Sequence, residues 1–210
     1  MDIFFRWLKE NFGVKEVFFK LIDKNKENKL RELESKVKIC RKCRLFKFRR
    51  NIVFGSGNFY ASLMFVGEAP GGEEDKVGLP FVGRAGLLLT KILNEFGIDR
   101  DKDCYITNVL KCRPPKNRDP QKDEIEACKG YLFEQIEIIK PKVIVCLGRY
   151  STALLVGGVP TLSLYRGKVF EFMSAKVIPT YHPSALLRRP ILENDFKNDL
   201  KKALDLLENG

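Results

Sequence analysis

Four short, nearly uninterrupted apolar runs constrain this chain most. They are Ser62-Leu63-Met64-Phe65-Val66, Cys104-Tyr105-Ile106-Thr107, Lys142-Val143-Ile144-Val145-Cys146-Leu147 and Lys176-Val177-Ile178-Pro179-Thr180. Short runs rich in β-branched residues, without polar alternation, fit strands of a parallel sheet covered on both faces. Helical periodicity fills the intervals, over 86–96, 122–139, 150–155 and finally 194–207. Strand and helix in alternation predict an α/β fold, a three-layer α/β/α sandwich around a central, mostly parallel four-stranded sheet.

The 210 residues suit one such domain with a small appendage. The appendage is read as residues 1–28 and the main domain as 29–210. Residues 1–28 combine aromatic residues with a polar run that begins at Asp23. Apolar residues at Phe4, Trp7 and Leu8, and at Phe18, Leu21 and Ile22, have helical spacing, with Gly13 as a break between them. Packing of these helices on the main domain is the simpler expectation. Docking of a replication or repair partner on residues 1–28 is the alternative. A further helix is expected from Leu30 to Ile39, with Leu30, Leu33 and Val37 on one face.

Charge narrows the partner. Lysine and arginine number 38 against 27 acidic residues, a net charge of +11. A basic surface concentrates polyanions, so nucleic acid is the leading partner class. The competing explanation is a lysine-rich, heat-adapted surface, which the presence of only two glutamines, Gln121 and Gln135, also suits. No apolar run is long enough to span a membrane, and the first residues lack the pattern of a secretory signal. A cytoplasmic protein, monomeric and off the membrane, is expected.

Ligands of open parallel sheets bind beyond the carboxyl ends of the strands. After the first run come Gly67-Glu68-Ala69-Pro70-Gly71-Gly72-Glu73-Glu74-Asp75. After the second come Asn108 and Lys111-Cys112-Arg113-Pro114-Pro115, after the third Gly148-Arg149, and after the fourth Tyr181-His182-Pro183-Ser184. The first loop is no phosphate-binding loop, because no Gly-Lys-Ser/Thr ends it and its carboxylates repel phosphate. Carboxylates there suit the orientation of water or the stabilisation of a cationic transition state. His182 is the sole histidine and lies on the same rim. Phe81, between a glycine-rich loop and a helix, is either core or a stacking platform.

The six cysteines divide in two. Cys104 and Cys146 sit within apolar runs as small buried hydrophobes. Cys40, Cys43, Cys112 and Cys128 stand in polar surroundings, with 68 residues between the second and third and 15 between the third and fourth. Four thiolates bind zinc or an iron–sulfur cluster. The absence of a second close pair disfavours a zinc ribbon.

Taken together, Gly67-Glu68-Ala69-Pro70-Gly71 with Glu74-Asp75, Gly78-Leu79-Pro80-Phe81-Val82-Gly83-Arg84-Ala85-Gly86, Ile106-Thr107-Asn108-Val109-Leu110-Lys111-Cys112-Arg113-Pro114-Pro115 with Asn117-Arg118, and His182-Pro183-Ser184-Ala185-Leu186-Leu187-Arg188 resemble the family 4 uracil-DNA glycosylases. The resemblance runs from about Leu30 to the carboxyl terminus. It implies a base-excision repair enzyme that hydrolyses the N-glycosidic bond of a flipped deoxyuridine in single- or double-stranded DNA. It further implies a [4Fe-4S] cluster on Cys40, Cys43, Cys112 and Cys128. Glu68 and His182 would be catalytic. Gly67, Glu68, Ala69, Phe81, Asn108 and His182 would hold uracil, with Glu74 and Asn117 as further candidates. Leu186, Leu187, Arg188, Arg49 and Arg50 would touch DNA. Glu68 argues against family 5, whose first motif lacks it, and the segment after Asn108 lacks the histidine-bearing insertion of the branch that becomes trapped on uracil. A non-catalytic iron–sulfur DNA-binding protein and a zinc protein acting on free nucleotides are the rival classes.

Overall fold

The structure, a computed structural model, describes residues 14–158 and 161–208. The helix expected around Phe4, Trp7 and Leu8, and the break at Gly13, lie outside the described residues. In chain order the elements are α1 (Val14–Lys38), β1 (Ser56–Gly57), β2 (Leu63–Gly67), α2 (Gly72–Val77), α3 (Arg84–Glu95), β3 (Cys104–Asn108), α4 (Lys122–Ile139), β4 (Val143–Leu147), α5 (Arg149–Leu155), β5 (Phe170–Phe172), β6 (Ala175–Thr180), α6 (Pro183–Arg188) and α7 (Leu192–Glu208).

The sheet has the order β1-β3-β2-β4-β6-β5. Its four inner strands, β3, β2, β4 and β6, are the four apolar runs, and they are mutually parallel. The sheet is nevertheless six-stranded rather than four-stranded, because β1 and β5 add short antiparallel pairs at the two edges. Along each inner strand the side chains alternate between two cores. Leu63 and Phe65 of β2 join Ile106, Val143 and Val145 beneath Leu89, Ile92 and Leu93 of α3 and Phe196, Leu200 and Ala203 of α7. Met64 and Val66 point the other way, towards Leu30, Leu33 and Val37 of α1 and Leu132, Ile136 and Ile139 of α4. Period two in the strands and period 3.6 in the helices therefore build three layers.

The helix expected over 30–39 is the last part of the 25-residue α1. The division after residue 28 falls inside this helix, which runs on through the polar run without interruption. Its Lys26 Nζ donates to the Ile139 carbonyl at 2.7 Å, at the carboxyl end of α4. Among the described residues no helix is long and apolar enough to cross a membrane.

Candidate active site

The inner strands end at one rim. The register pairs Gly67 of β2 with Asn108 of β3, so these two residues close adjacent strands side by side. From this rim descends a pocket of ≈ 440 Å³. Glu68, Ala69, Glu74, Phe81, Asn108, Asn117, His182 and Arg188 all line it, together with Arg118 and Asp119. Gly67 lies beneath. A Cβ built on Gly67 would strike Asn108 Oδ1 and the Phe81 ring, so only glycine lets those side chains meet there.

Phe81 is held by construction. It is a buried, non-glycine residue with φ +52°, in the left-handed region that costs a side-chain-bearing residue free energy. Arg100 clamps it, with Nη1 on the Phe81 carbonyl and Nη2 on the Pro80 carbonyl, both at 2.8 Å. Gly86 of α3 completes the clamp, because any Cβ there would collide with the Phe81 main chain. The Phe81 ring lies 5.5 Å from the His182 ring, tilted by 34°.

Glu74 accepts from the main-chain N–H groups of Gly71 (3.1 Å), Val82 (3.0 Å) and Gly83 (2.8 Å). It thus laces the first-motif loop to the segment after Phe81. Glu68 has a different environment. Burial pushes its pKa up to about 7, with Asp119 adding to the rise and Arg149 opposing it. Asp119, which lines the pocket, forms an ion pair with exposed Arg149. Arg118 holds that loop in place through a two-pronged contact with buried Glu124 of α4, at 2.9 and 2.6 Å. Asn117 accepts from Arg113 Nε at 2.7 Å.

His182 caps α6. Its Nδ1 accepts from the Ser184 main-chain N–H at 3.1 Å and lies 2.8 Å from Ser184 Oγ. With Nδ1 an acceptor, the neutral ring carries its proton on Nε2. Desolvation, then the nearby Arg188 guanidinium, holds its pKa down to about 4, against an upward pull from Glu74.

The DNA-facing expectations divide. Leu187 is exposed, as is Arg188. Leu186 is not: it is 2% exposed and belongs to the core beneath α3 and α7. Arg50 is exposed, with its main-chain N–H on Asp75 at 2.9 Å. Arg49 is engaged inward instead, donating from Nη1 to Cys112 Sγ and from Nη2 to the Lys38 carbonyl, each at 3.1 Å.

Cys40, Cys43, Cys112 and Cys128 line one recess, shared with Arg49, Lys111 and Tyr131. All six cysteines are free thiols. Among the described residues, no group of three histidine, cysteine, aspartate or glutamate side chains is arranged around a single metal ion. Cys104 and Cys146 are buried in the sheet, where desolvation raises both thiols. Sequence reasoning missed Arg100, Asp119 and the buried amine of Lys111. Asp119 and Arg100 stand in polar loops with no motif of their own, and only their contacts reveal them.

The profile of the Uracil DNA glycosylase superfamily matches residues 54–208. The chain is 48% identical to the type-4 uracil-DNA glycosylase of Archaeoglobus fulgidus over 84% of its own length and 92% of that protein's. It is 48% identical to that of Sulfurisphaera tokodaii over 84% of each chain. It is 49% identical to that of Thermotoga maritima over 78% of this chain and 85% of the relative. The match spans the strands, the pocket and the loops that line it, and the chain belongs to the type-4 uracil-DNA glycosylases of the uracil-DNA glycosylase superfamily.

Proposed function

We infer that this uracil-DNA glycosylase holds a flipped deoxyuridine in the pocket beyond β2, β3 and β6 and hydrolyses its N-glycosidic bond, releasing uracil and leaving an abasic site. The observation that carries the reading is the convergence of Phe81, Asn108, Glu68 and His182 on one pocket. A base inside a duplex is out of reach, so the target must leave the stack. The pinned Phe81 ring offers it a flat floor. The Asn108 carboxamide, with a donor and an acceptor, matches uracil O4 and N3–H, whereas cytosine presents the opposite pattern. A mismatched edge leaves buried polar groups unpaired, which gives strong discrimination.

Bond cleavage places positive charge on the sugar and negative charge on uracil O2. His182, neutral and protonated on Nε2, donates to that oxygen without adding charge to the ground state. Glu68, when ionised, stabilises the sugar cation and orients the attacking water. Glu74 serves differently, because its carboxylate is already committed to three main-chain N–H groups. Exposed Leu187 and Arg188 would enter the minor groove and hold the gap left by the flipped base. Arg50 is a candidate phosphate contact on the exposed surface. The excess positive charge suits DNA as the partner.

The recess of four cysteines fits the iron–sulfur cluster that family resemblance implies. Three of its sulfurs face N–H donors: Lys42 on Cys40 at 3.5 Å, Lys111 on Cys128 at 3.4 Å and Arg49 on Cys112 at 3.1 Å. A cluster on four thiolates is an anion, and N–H dipoles directed at its sulfurs are what an anion needs. Cys40, Cys43, Cys112 and Cys128 would hold it, and it would cross-link the segment after α1 to α4 without entering the hydrolysis. Residues 1–28 remain a candidate docking segment for a repair or replication partner, and the rest of the chain a monomeric, cytoplasmic enzyme.

The test is uracil release from single- and double-stranded DNA by the wild type beside His182→Ala. Release is expected from the wild type, with the variant slower by roughly 10²–10³, the usual effect of removing one donor to a developing oxyanion. Equal rates for the two proteins would overturn the placement of His182.

A further inference from the structure

Lys111 stands out among the buried groups that this mechanism leaves idle. It is 1% exposed, and it sits between β3 and the cysteine-bearing segment. A lysine in a core gives up hydration and side-chain freedom, so such a position normally goes to an apolar residue. Its Nζ reaches three oxygens: Gln135 Oε1 at 2.6 Å, Thr107 Oγ1 at 2.7 Å and the Asn108 main-chain carbonyl at 2.8 Å. Two of these partners are anchored independently of the amine. Thr107 Oγ1 and Gln135 Nε2 each donate to the Phe54 carbonyl at 2.9 Å, and Gln135 Nε2 also reaches the Tyr105 hydroxyl at 3.1 Å. The Asn108 carbonyl is therefore tied, through one nitrogen, to a frame built from β3, α4 and the segment before β1.

The tie matters because of where Asn108 stands. Its Oδ1 lies hard against Gly67, and its side chain is buried beside Phe81. Tilting the Asn108 peptide would swing the carboxamide away from its seat against Gly67. At the other end, the Lys111 main-chain N–H donates to Cys128 Sγ at 3.4 Å, and the next residue is Cys112. We propose that Lys111 is a positioning residue: by holding the Asn108 main-chain carbonyl it sets the angle at which the Asn108 carboxamide meets uracil, and it ties that angle to the recess of the four cysteines. The proposal rests on the reading of Asn108 as the uracil-reading side chain.

Inhibition by free uracil reports base reading apart from DNA binding and bond cleavage. Lys111→Met, Thr107→Val and Asn108→Ala are compared with the wild type in the purified holoenzyme, at a temperature well below each variant's melting point. Iron content, visible absorbance and affinity for uracil-free duplex are measured alongside. Lys111→Met is expected to keep its iron and its duplex affinity, yet to weaken inhibition by uracil about tenfold, the scale of one well-placed hydrogen bond. Lys111→Arg should recover part of that loss. Thr107→Val, which removes one acceptor and keeps the amine, should weaken inhibition by a smaller factor in the same direction, and it stands in for Lys111→Met should that variant not fold. A lysine that only fills the core would lower the melting temperature and leave uracil inhibition where it was, and that result overturns the proposal. If Asn108→Ala itself leaves uracil inhibition unchanged, the base-reading assignment fails and takes this one with it. If Asn108→Ala weakens inhibition while Lys111→Met and Thr107→Val do not, the Lys111 assignment alone falls.

Discussion

Glu68 and His182 face one pocket, and desolvation acts on both by favouring the uncharged form. For His182 this is what the chemistry asks, since a neutral imidazole with its proton on Nε2 donates to an oxyanion. For Glu68 it works against the ionised form, because burial and Asp119 together lift the carboxyl to about 7. The sign of the pH dependence follows. On the proposed role of Glu68 the active fraction is the ionised one, so the rate of the chemical step should rise with pH, reach half its maximum near 7, and fall about tenfold per pH unit below. His182 is already neutral above about 4, so no second limb should appear near the ordinary histidine value. Asp119→Asn removes a negative neighbour and should move the limb to lower pH, while Glu68→Gln should abolish it. Single-turnover rates measured from about pH 5 to about pH 9 in one buffer series decide this, and a limb that survives Glu68→Gln assigns it to another group.

Among the elements, α6 carries most of the proposed function in least length. Capped by His182, its six residues turn Leu186 into the core and leave Leu187 outside. Leu186→Ala should therefore cost about 2–5 kcal/mol of stability, as core truncations do, whereas Leu187→Ala should leave the melting temperature nearly unchanged. Leu187→Ala should instead slow uracil release from duplex more than from single strands, because only the duplex has a gap to hold open. Equal slowing on both substrates would remove the wedge role. Two adjacent leucines in so short a helix carry no periodicity that says which one faces inward, which is why the sequence does not separate them. The inner strands are legible because neighbours such as Phe65 and Met64, or Val145 and Ile144, are buried on opposite faces of the sheet. Ser56–Gly57 and Phe170–Phe172 are too short to make a pattern, so the edges are invisible before the structure. Glu68, Asn108 and His182 are legible because each follows a strand at the ligand-binding rim. Arg100 and Asp119 act through partners distant in the chain, and nothing local marks them. Arg49 misleads in the same way: a basic run reads as a phosphate surface, yet this guanidinium turns towards Cys112 and the Lys38 carbonyl.

For the molecule as a whole, the four cysteines of the recess join regions far apart in sequence: the turn after α1, the segment after β3, and α4. If these cysteines hold the proposed cluster, Cys128→Ser should bleach the visible absorbance and lower the melting temperature, because it would remove both a ligand and a cross-link between layers. Cys104→Ser, on the opposite face of the sheet, should keep the colour. Iron retained in Cys128→Ser and lost in Cys104→Ser would reverse the division of the cysteines. The two edge strands have a consequence of their own. An open sheet exposes unpaired N–H and C=O groups along its flanks, and a long flat flank invites a neighbouring molecule to add a strand. Here the flanks are β1, two residues long, and β5, three residues long. An incoming strand would find so few ladder positions that edge-to-edge aggregation gains little, even when the enzyme is crowded along damaged DNA.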